Sequence, residues 1–338
     1  SRPGCWTGGW SGRIHGKVCL KPSISEHFWK LTSRACGVRA YGVSESNGND
    51  LPWIPPNFLA LTEEQSKLDA AKVVLIPVPY DSTASFRTGA RYGPSAIIEA
   101  SAGLEDYDWE LDLDVSTLGI HTTPLLEPHF GSPELMAQRV KAAVAHYVQQ
   151  GKITGVLGGE HSVTIGSVQA HREVSADLSV LYLDAHADLR DEYMGTRWGH
   201  ASGARRIHES CPLVLVGLRS ICPEELAYLK RYSISAFFWP PDGDSYIEKV
   251  LASLGPNVYI SVDLDVFDSS LMPAVGTPEP GGMTWHQVAQ LLRAVGSSRN
   301  IVGFDVSELA PNEGPAACAY TAAKLVYKLV AHAAGPSD

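Results

Sequence analysis

Leu178-Ser179-Val180-Leu181-Tyr182-Leu183-Asp184-Ala185-His186-Ala187-Asp188 is the stretch that decides how this chain folds. Its first six residues are an apolar run of strand length. Three ionisable side chains then follow at every second position. On an extended backbone such positions point to one face, so Asp184, His186 and Asp188 project together from the end of a core strand. Two further segments repeat the arrangement. Ile153-Thr154-Gly155-Val156-Leu157 runs into Gly158-Gly159-Glu160-His161-Ser162, and Val258-Tyr259-Ile260-Ser261-Val262 runs into Asp263-Leu264-Asp265. Two imidazoles and four carboxylates thus gather at three strand ends.

Outward from these segments, short apolar runs and amphipathic stretches alternate. Strands are expected over 72–78, 153–157, 178–183, 213–217, 234–239, 257–262 and 301–306. Helices are expected over 94–101, 133–150, 163–173, 200–209, 223–232, 244–254, 284–296 and 315–333. Gly93-Pro94 opens the first helix, and Thr284 is the expected N-cap of the seventh. Alternation of this kind predicts a single three-layer α/β/α domain with a mainly parallel central sheet. In such sheets sites form beyond the carboxyl ends of the strands, where all six ionisable residues fall.

Acids facing inward on buried strands cost several kcal/mol each, roughly, unless cations neutralise them. These strands supply no Lys or Arg for four Asp, so metal ions are expected. His161, Asp184, His186, Asp188, Asp263 and Asp265 suffice for two. An oxygen-rich set without thiolate favours Mn²⁺, with Zn²⁺, Fe²⁺, Co²⁺ or Ni²⁺ as competitors. Two ions about 3.5–4 Å apart can share a water, lower its pKa and supply hydroxide near neutral pH.

The Gly-Gly-Glu-His-Ser, Asp-Ala-His-Ala-Asp and Ser-Val-Asp-Leu-Asp-Val-Phe-Asp segments resemble the ureohydrolases, the arginase and agmatinase superfamily. The resemblance runs from about residue 72 to 330 and takes in Arg87-Thr88-Gly89-Ala90-Arg91-Tyr92-Gly93-Pro94 and Gly276-Thr277-Pro278-Glu279-Pro280-Gly281-Gly282. It implies an arginase-like fold and two Mn²⁺ per subunit, with His161, Asp184, Asp188 and Asp265 serving or bridging one ion and His186 and Asp263 completing the second. Which carboxylates bridge stays open. It implies that His200, in Trp198-Gly199-His200-Ala201-Ser202, shuttles a proton to the departing amine, and that Glu308 holds the guanidinium through paired charge-assisted hydrogen bonds. It also implies a homo-oligomer, a trimer or a hexamer.

Within the superfamily the substrate is read from what surrounds these motifs. Arginases carry an Asn two residues after the Asp-x-His-x-Asp segment and a Ser-Gly-Asn-x-His-Gly loop; here Arg190 and Gly195-Thr196-Arg197-Trp198-Gly199-His200 stand in those places. Asp188-Leu189-Arg190-Asp191-Glu192-Tyr193 looks like agmatinases instead, and Asp191 is a candidate for attracting a distal amine. The expected reaction is hydrolysis of agmatine to putrescine and urea, by attack of a metal-bridging hydroxide on the guanidinium carbon. Agmatinases often have an Asp-x-Gly-Asp segment where this chain has Ser116-Thr117-Leu118-Gly119-Ile120-His121, so guanidinobutyrase or another guanidino-alkyl or guanidino-acid hydrolase stays open, arginase less so. A mononuclear zinc deacetylase and an inactive metal-binding regulator are the readings from other classes. The complete ligand set argues against both.

Composition is compatible with a small cationic substrate and speaks against nucleic acid and membrane as partners. The 338 residues are 44% hydrophobic, with 27 basic against 37 acidic side chains and a net charge of -10. There is no basic stripe of the kind nucleic acid needs, and no apolar run approaches the ~20 residues of a membrane span. Six cysteines without a C-x-x-C pair read as free thiols of a reducing, cytoplasmic compartment. Residues 1–55 differ from the rest: the first 40 hold seven Lys or Arg and one acid, Glu26. Position 1 is Ser and the first methionine is Met136, so the start is expected to be processed, truncated or translated from upstream of the true start. This stretch reads as a disordered or non-native extension, or as an organellar transit peptide, with the catalytic domain over 56–338.

Overall fold

The computed structural model describes residues 53–241, 243 and 245–335. The chain divides into two units, Ser1–Trp53 and Ile54–Asp338, and the elements fall in the second. The expectation for the N-terminal extension lies, as far as residue 52, outside the described residues. The strands are β1 (Val73–Val78), β2 (Tyr107–Asp108), β3 (Leu113–Asp114), β4 (Ile120–Thr122), β5 (Ile153–Gly158), β6 (Leu178–Leu183), β7 (Leu213–Leu218), β8 (Ser235–Phe238), β9 (Asn257–Asp263) and β10 (Asn300–Ser307). The helices are α1 (Gly93–Ser101), α2 (Pro133–Val148), α3 (Val163–Val174), α4 (Gly203–His208), α5 (Pro223–Tyr232), α6 (Tyr246–Ser253), α7 (Trp285–Gly296) and α8 (Ala317–Ala334).

Eight strands form one sheet in the order β4-β1-β5-β10-β9-β6-β7-β8, and every pairing in it is parallel. β2 and β3 form a separate antiparallel pair. Alternate residues of each strand feed opposite cores. Val73 and Leu75 of β1 belong to one continuous core with Ile97 of α1, Val250 of α6, Val288 of α7 and Leu325 of α8. Val74, Ile76 and Val78 pack with α2 and Val163 of α3. Farther along the second face, Val168 of α3, Ala204 and Ile207 of α4 and Leu229 of α5 cover β6 and β7. Helices therefore lie on both faces, which is the three-layer arrangement expected. Strands buried from both sides are why the sequence shows continuous apolar runs rather than alternation.

The departures are local. β2, β3 and β4 have two or three residues each, too short for a periodic signal. The helix expected over 200–209 is a 3-10 turn at His200–Ser202 followed by α4. Thr284 does cap α7: its hydroxyl accepts from Gln287 N–H and the Gln287 side chain accepts from Thr284 N–H. Among the described residues no helix is long and apolar enough to cross a membrane, and Cys211, Cys222 and Cys318 carry free thiols. Cys5, Cys19 and Cys36 lie outside the described residues.

His332 gives the fold a measurable acid sensitivity. It packs on Gly296 at the end of α7, where an added Cβ would meet it at 3.0 Å. Burial, then the charge of Lys328, pushes its imidazole down from 6.5 to about 4. Between those values unfolding takes up a proton, so this contribution is present above pH 6.5 and is lost as pH falls toward 4. Urea unfolding at about pH 7 and about pH 4.5 should show His332→Gln losing about 2 kcal/mol less than the parent on acidification. Equal losses would contradict this assignment.

Candidate metal centre

The four central strands of the sheet deliver the site at their carboxyl ends. Asp184 follows β6, Asp263 ends β9 with Asp265 in the 3-10 turn behind it, His161 follows β5, and Glu308 follows β10. The turn after β5 is held against the segment after β1: Gly159 N–H donates to Val78 O (2.9 Å) and Glu160 N–H to Tyr80 O (2.7 Å). A Cβ on Gly159 would lie 1.8 Å from Tyr80 O, so only glycine fits. Glu308 N–H in turn donates to Gly159 O (2.8 Å). Asp188 and Glu308 both adopt left-handed backbone, with φ of 50° and 69°. Such conformations cost on the order of 1–3 kcal/mol and collect at functional sites.

Asp184 is the centre of the constellation. Its Oδ2 lies 2.9 Å from His161 Nδ1 and its Oδ1 3.5 Å from His186 Nδ1. Asp263 Oδ2 and Asp188 Oδ2 approach the same His161 nitrogen at 3.2 and 3.6 Å, and Asp265 Oδ2 lies 2.8 Å from His186 Nδ1. Two ligand groups result, His161-Asp184-Asp188 and Asp184-His186-Asp265, sharing Asp184. The side chains of His161 and the four Asp are buried.

This cluster is short of positive charge. Burial, then Asp265, pushes the Asp184 carboxyl up to about 6, and burial with Asp265 and Asp184 holds Asp263 well above the carboxylate range. Burial raises Asp265 as well, but the charge of His186 and the hydrogen bonds from His186 and from Ala185 N–H together outweigh it and bring this carboxyl down to about 2. Burial would lower both imidazoles, but Asp184, Asp188 and Asp263 hold His161 far up, and Asp265 with Asp184 does the same for His186. The nearby Arg219 spends its guanidinium on the carbonyls of Asp265, Phe267, Glu279 and Pro280 rather than on these carboxylates. Protons on the imidazoles thus occupy positions that suit divalent cations, and the hard oxygen and imidazole donors fit such ions.

The shell behind the donors fixes their orientation. Ser261 Oγ donates to Asp305 Oδ1 (2.9 Å), which leaves it to accept from His161 Nε2 (2.8 Å). Nε2 therefore carries its hydrogen toward Ser261, and Nδ1 is the nitrogen that faces the other ligand residues. Tyr259 Oη donates to Asp305 Oδ2 (2.8 Å), and Tyr182 Oη to Asp188 Oδ2 (2.8 Å). Of these, Ser261 sits two residues before Asp263, a spacing that could have announced it. Asp305 and Tyr182 carried no signal of their own.

A cavity of about 270 Å³ opens on this cluster, lined by His161, His186, Asp188, Asp263, His200 and Glu308 together with Ser85, Arg190, Tyr193, Cys222, Glu225 and Thr277. Glu308 Oε1 accepts from His161 N–H (2.7 Å). Burial, then the charge of Glu160, pushes the Glu308 carboxyl up to about 8. His200 faces Thr83 and Ser85 and packs edge-on against Tyr193, with ring centroids 6.1 Å apart. Arg190 lies over the Tyr193 ring at 4.9 Å. Asp191 is placed differently: its Oδ1 accepts from Arg197 and Arg206, both at 2.8 Å, with Arg205 at 3.6 Å, and it does not line the cavity.

The family model described as "Arginase family" matches residues 71–332. The chain belongs to the arginase family. It is 40% identical over 278 residues to the N(1)-aminopropylagmatine ureohydrolase of Thermus thermophilus, covering 80% of this chain and 94% of that protein. It is 34% identical to the agmatinase of Pyrococcus horikoshii, covering 77% and 91%. Among solved structures, the agmatine ureohydrolase of Thermoplasma volcanium superposes with a TM-score of 0.72 at 33% identity, over 78% of this chain and 90% of that one. Arginase-family enzymes depend on a binuclear metal centre, act on small guanidino substrates and are typically oligomeric. This member is a ureohydrolase, a hydrolase of guanidino carbon–nitrogen bonds.

Proposed function

We propose that this chain hydrolyses agmatine to putrescine and urea with two Mn²⁺ ions held by His161, Asp184, His186, Asp188, Asp263 and Asp265. The observation that carries this is the position of Asp184, whose two oxygens face His161 and His186, both of which line the cavity together with Glu308. When bound, the two ions supply hydroxide near neutral pH from a shared water. Glu308 receives the planar guanidinium: one of its oxygens is held by His161 N–H, which orients the other toward the substrate. His200 carries a proton to the departing amine nitrogen. The relatives named for agmatine and N(1)-aminopropylagmatine support a substrate with a free amine or an aminopropyl extension beyond the guanidino-butyl unit. The proposed assembly is a homotrimer or hexamer in a reducing compartment such as the cytoplasm, with 56–338 as the catalytic domain and 1–55 as an extension.

Arg190 on the cavity wall favours a second reading. It has no carboxylate partner among the described residues, and a guanidinium there would welcome the carboxylate of 4-guanidinobutyrate. Urea release by Mn²⁺-loaded enzyme from agmatine, N(1)-aminopropylagmatine, 4-guanidinobutyrate, arginine and guanidine decides between them. The highest kcat/KM is expected for agmatine or its aminopropyl derivative. A preference for 4-guanidinobutyrate would establish the second reading, and no urea from any of the five would end both.

A further inference from the structure

We propose that Thr83, backed by the buried carboxylate of Glu160, is a positioning residue that fixes which nitrogen of His200 faces the cavity. The inference rests on the role given above to His200. Glu160 is fully buried beside His161, yet it contributes to neither ligand group. Its carboxylate gathers three donors: Thr83 N–H (2.7 Å) on Oε2, and the hydroxyls of Thr83 and Ser162 (both 2.5 Å) on Oε1.

A hydroxyl has one proton to give and two lone pairs. Thr83 gives its proton to Glu160. Its lone pairs then meet two His200 groups, the backbone N–H at 3.1 Å and Nδ1 at 3.3 Å. With its proton spent, Thr83 Oγ1 can only accept from Nδ1, so Nδ1 carries hydrogen. Nε2 is left with the lone pair, 3.1 Å from Ser85 Oγ, and both Ser85 and His200 line the cavity. The proton that His200 gives or takes is thereby the one on Nε2. Carboxylate, hydroxyl and imidazole form a relay in which the loop after β1 supplies the middle member.

The test compares kcat and KM of Mn²⁺-loaded parent, Thr83→Val, Thr83→Ser, His200→Ala and the Thr83→Val/His200→Ala double variant. Agmatine is the substrate, or 4-guanidinobutyrate if that proves better. Thr83→Val should lower kcat about 10- to 100-fold, a part of what a positioned general acid contributes, with KM changed less than about threefold and metal content unchanged. Thr83→Ser should restore most of the loss, because it restores the hydroxyl. In the His200→Ala background Thr83→Val should change kcat less than about twofold, since the group it positions is gone. Full kcat in Thr83→Val, failure of Thr83→Ser to restore it, or an equal loss in the His200→Ala background overturns the inference. Full kcat in His200→Ala alone overturns the role of His200 instead, so the two failures are separable.

Discussion

Asp184→Asn is expected to leave a folded chain that no longer retains two divalent ions and turns over on the order of 10³-fold more slowly, or less, because metal-derived hydroxide is worth several kcal/mol. The expectation comes from geometry. Asp184 belongs to both ligand groups, while His161, Asp188, His186 and Asp265 each belong to one. An amide keeps the shape but turns one acceptor into a donor that would face an imidazole or a cation. Metal content after dialysis, with His186→Ala as the comparison, should show the larger loss in Asp184→Asn. Two ions retained by Asp184→Asn would refute the shared role. The chelated proteins should order the other way in stability. The Asp184 carboxyl is raised from 3.8 to about 6 in the fold, so the metal-free parent loses stability as pH rises through that range. Asp184→Asn removes this loss. At neutral pH the chelated variant should therefore melt above the chelated parent.

Glu308→Ala should leave metal content intact and lower kcat/KM by about 10²- to 10⁴-fold, since two charge-assisted hydrogen bonds contribute roughly 1.5–3 kcal/mol each. Burial is what makes the loss large. Glu308 is only 9% exposed, and one of its oxygens is already held by His161 N–H at 2.7 Å. Glu308→Gln should recover little, because the guanidinium charge stays unmatched. Binding by the parent should tighten as pH rises toward about 8, where the carboxyl ionises, and this dependence should vanish in Glu308→Gln. Loss of ions in Glu308→Ala would instead make Glu308 a support of the metal centre, and kcat/KM within tenfold of the parent would remove it from substrate binding.

The parts of this molecule that could be read in advance are those where chemistry follows a backbone period. Asp184, His186 and Asp188 declare a common face by their spacing, and the long central strands declare themselves as apolar runs. Of the site residues without such a period, His200 and Glu308 were reached only through the family resemblance, and the rest stayed silent. Thr83 and Ser85 stand in an irregular loop and meet His200 across 117 and 115 residues of chain. Glu160 was visible inside its motif, but its partner was not. Asp191 looked like an open acid beside the second motif. What occupies it, Arg205 and Arg206, depends on where α4 begins, and that boundary shifted when residues 200–202 formed a 3-10 turn. β4 escaped notice because an edge strand of three residues with His121 and Thr122 has too little apolar surface to show.

The strand order has a consequence for how the molecule comes into being. β10 is the last strand to be synthesised, yet it lies between β5 and β9 near the middle of the sheet. Until it arrives, the earlier strands cannot close into their final neighbourhood, and Glu308 has no place beside Gly159. A chain that stops short of residue 300 would hold all six ligand residues but lack the strand that places His161 beside the other five. The His161-Asp184-Asp188 group, whose first member follows β5, is thereby completed only once β10 has joined β5 to β9, whereas Asp184, His186 and Asp265 come from the directly paired β6 and β9.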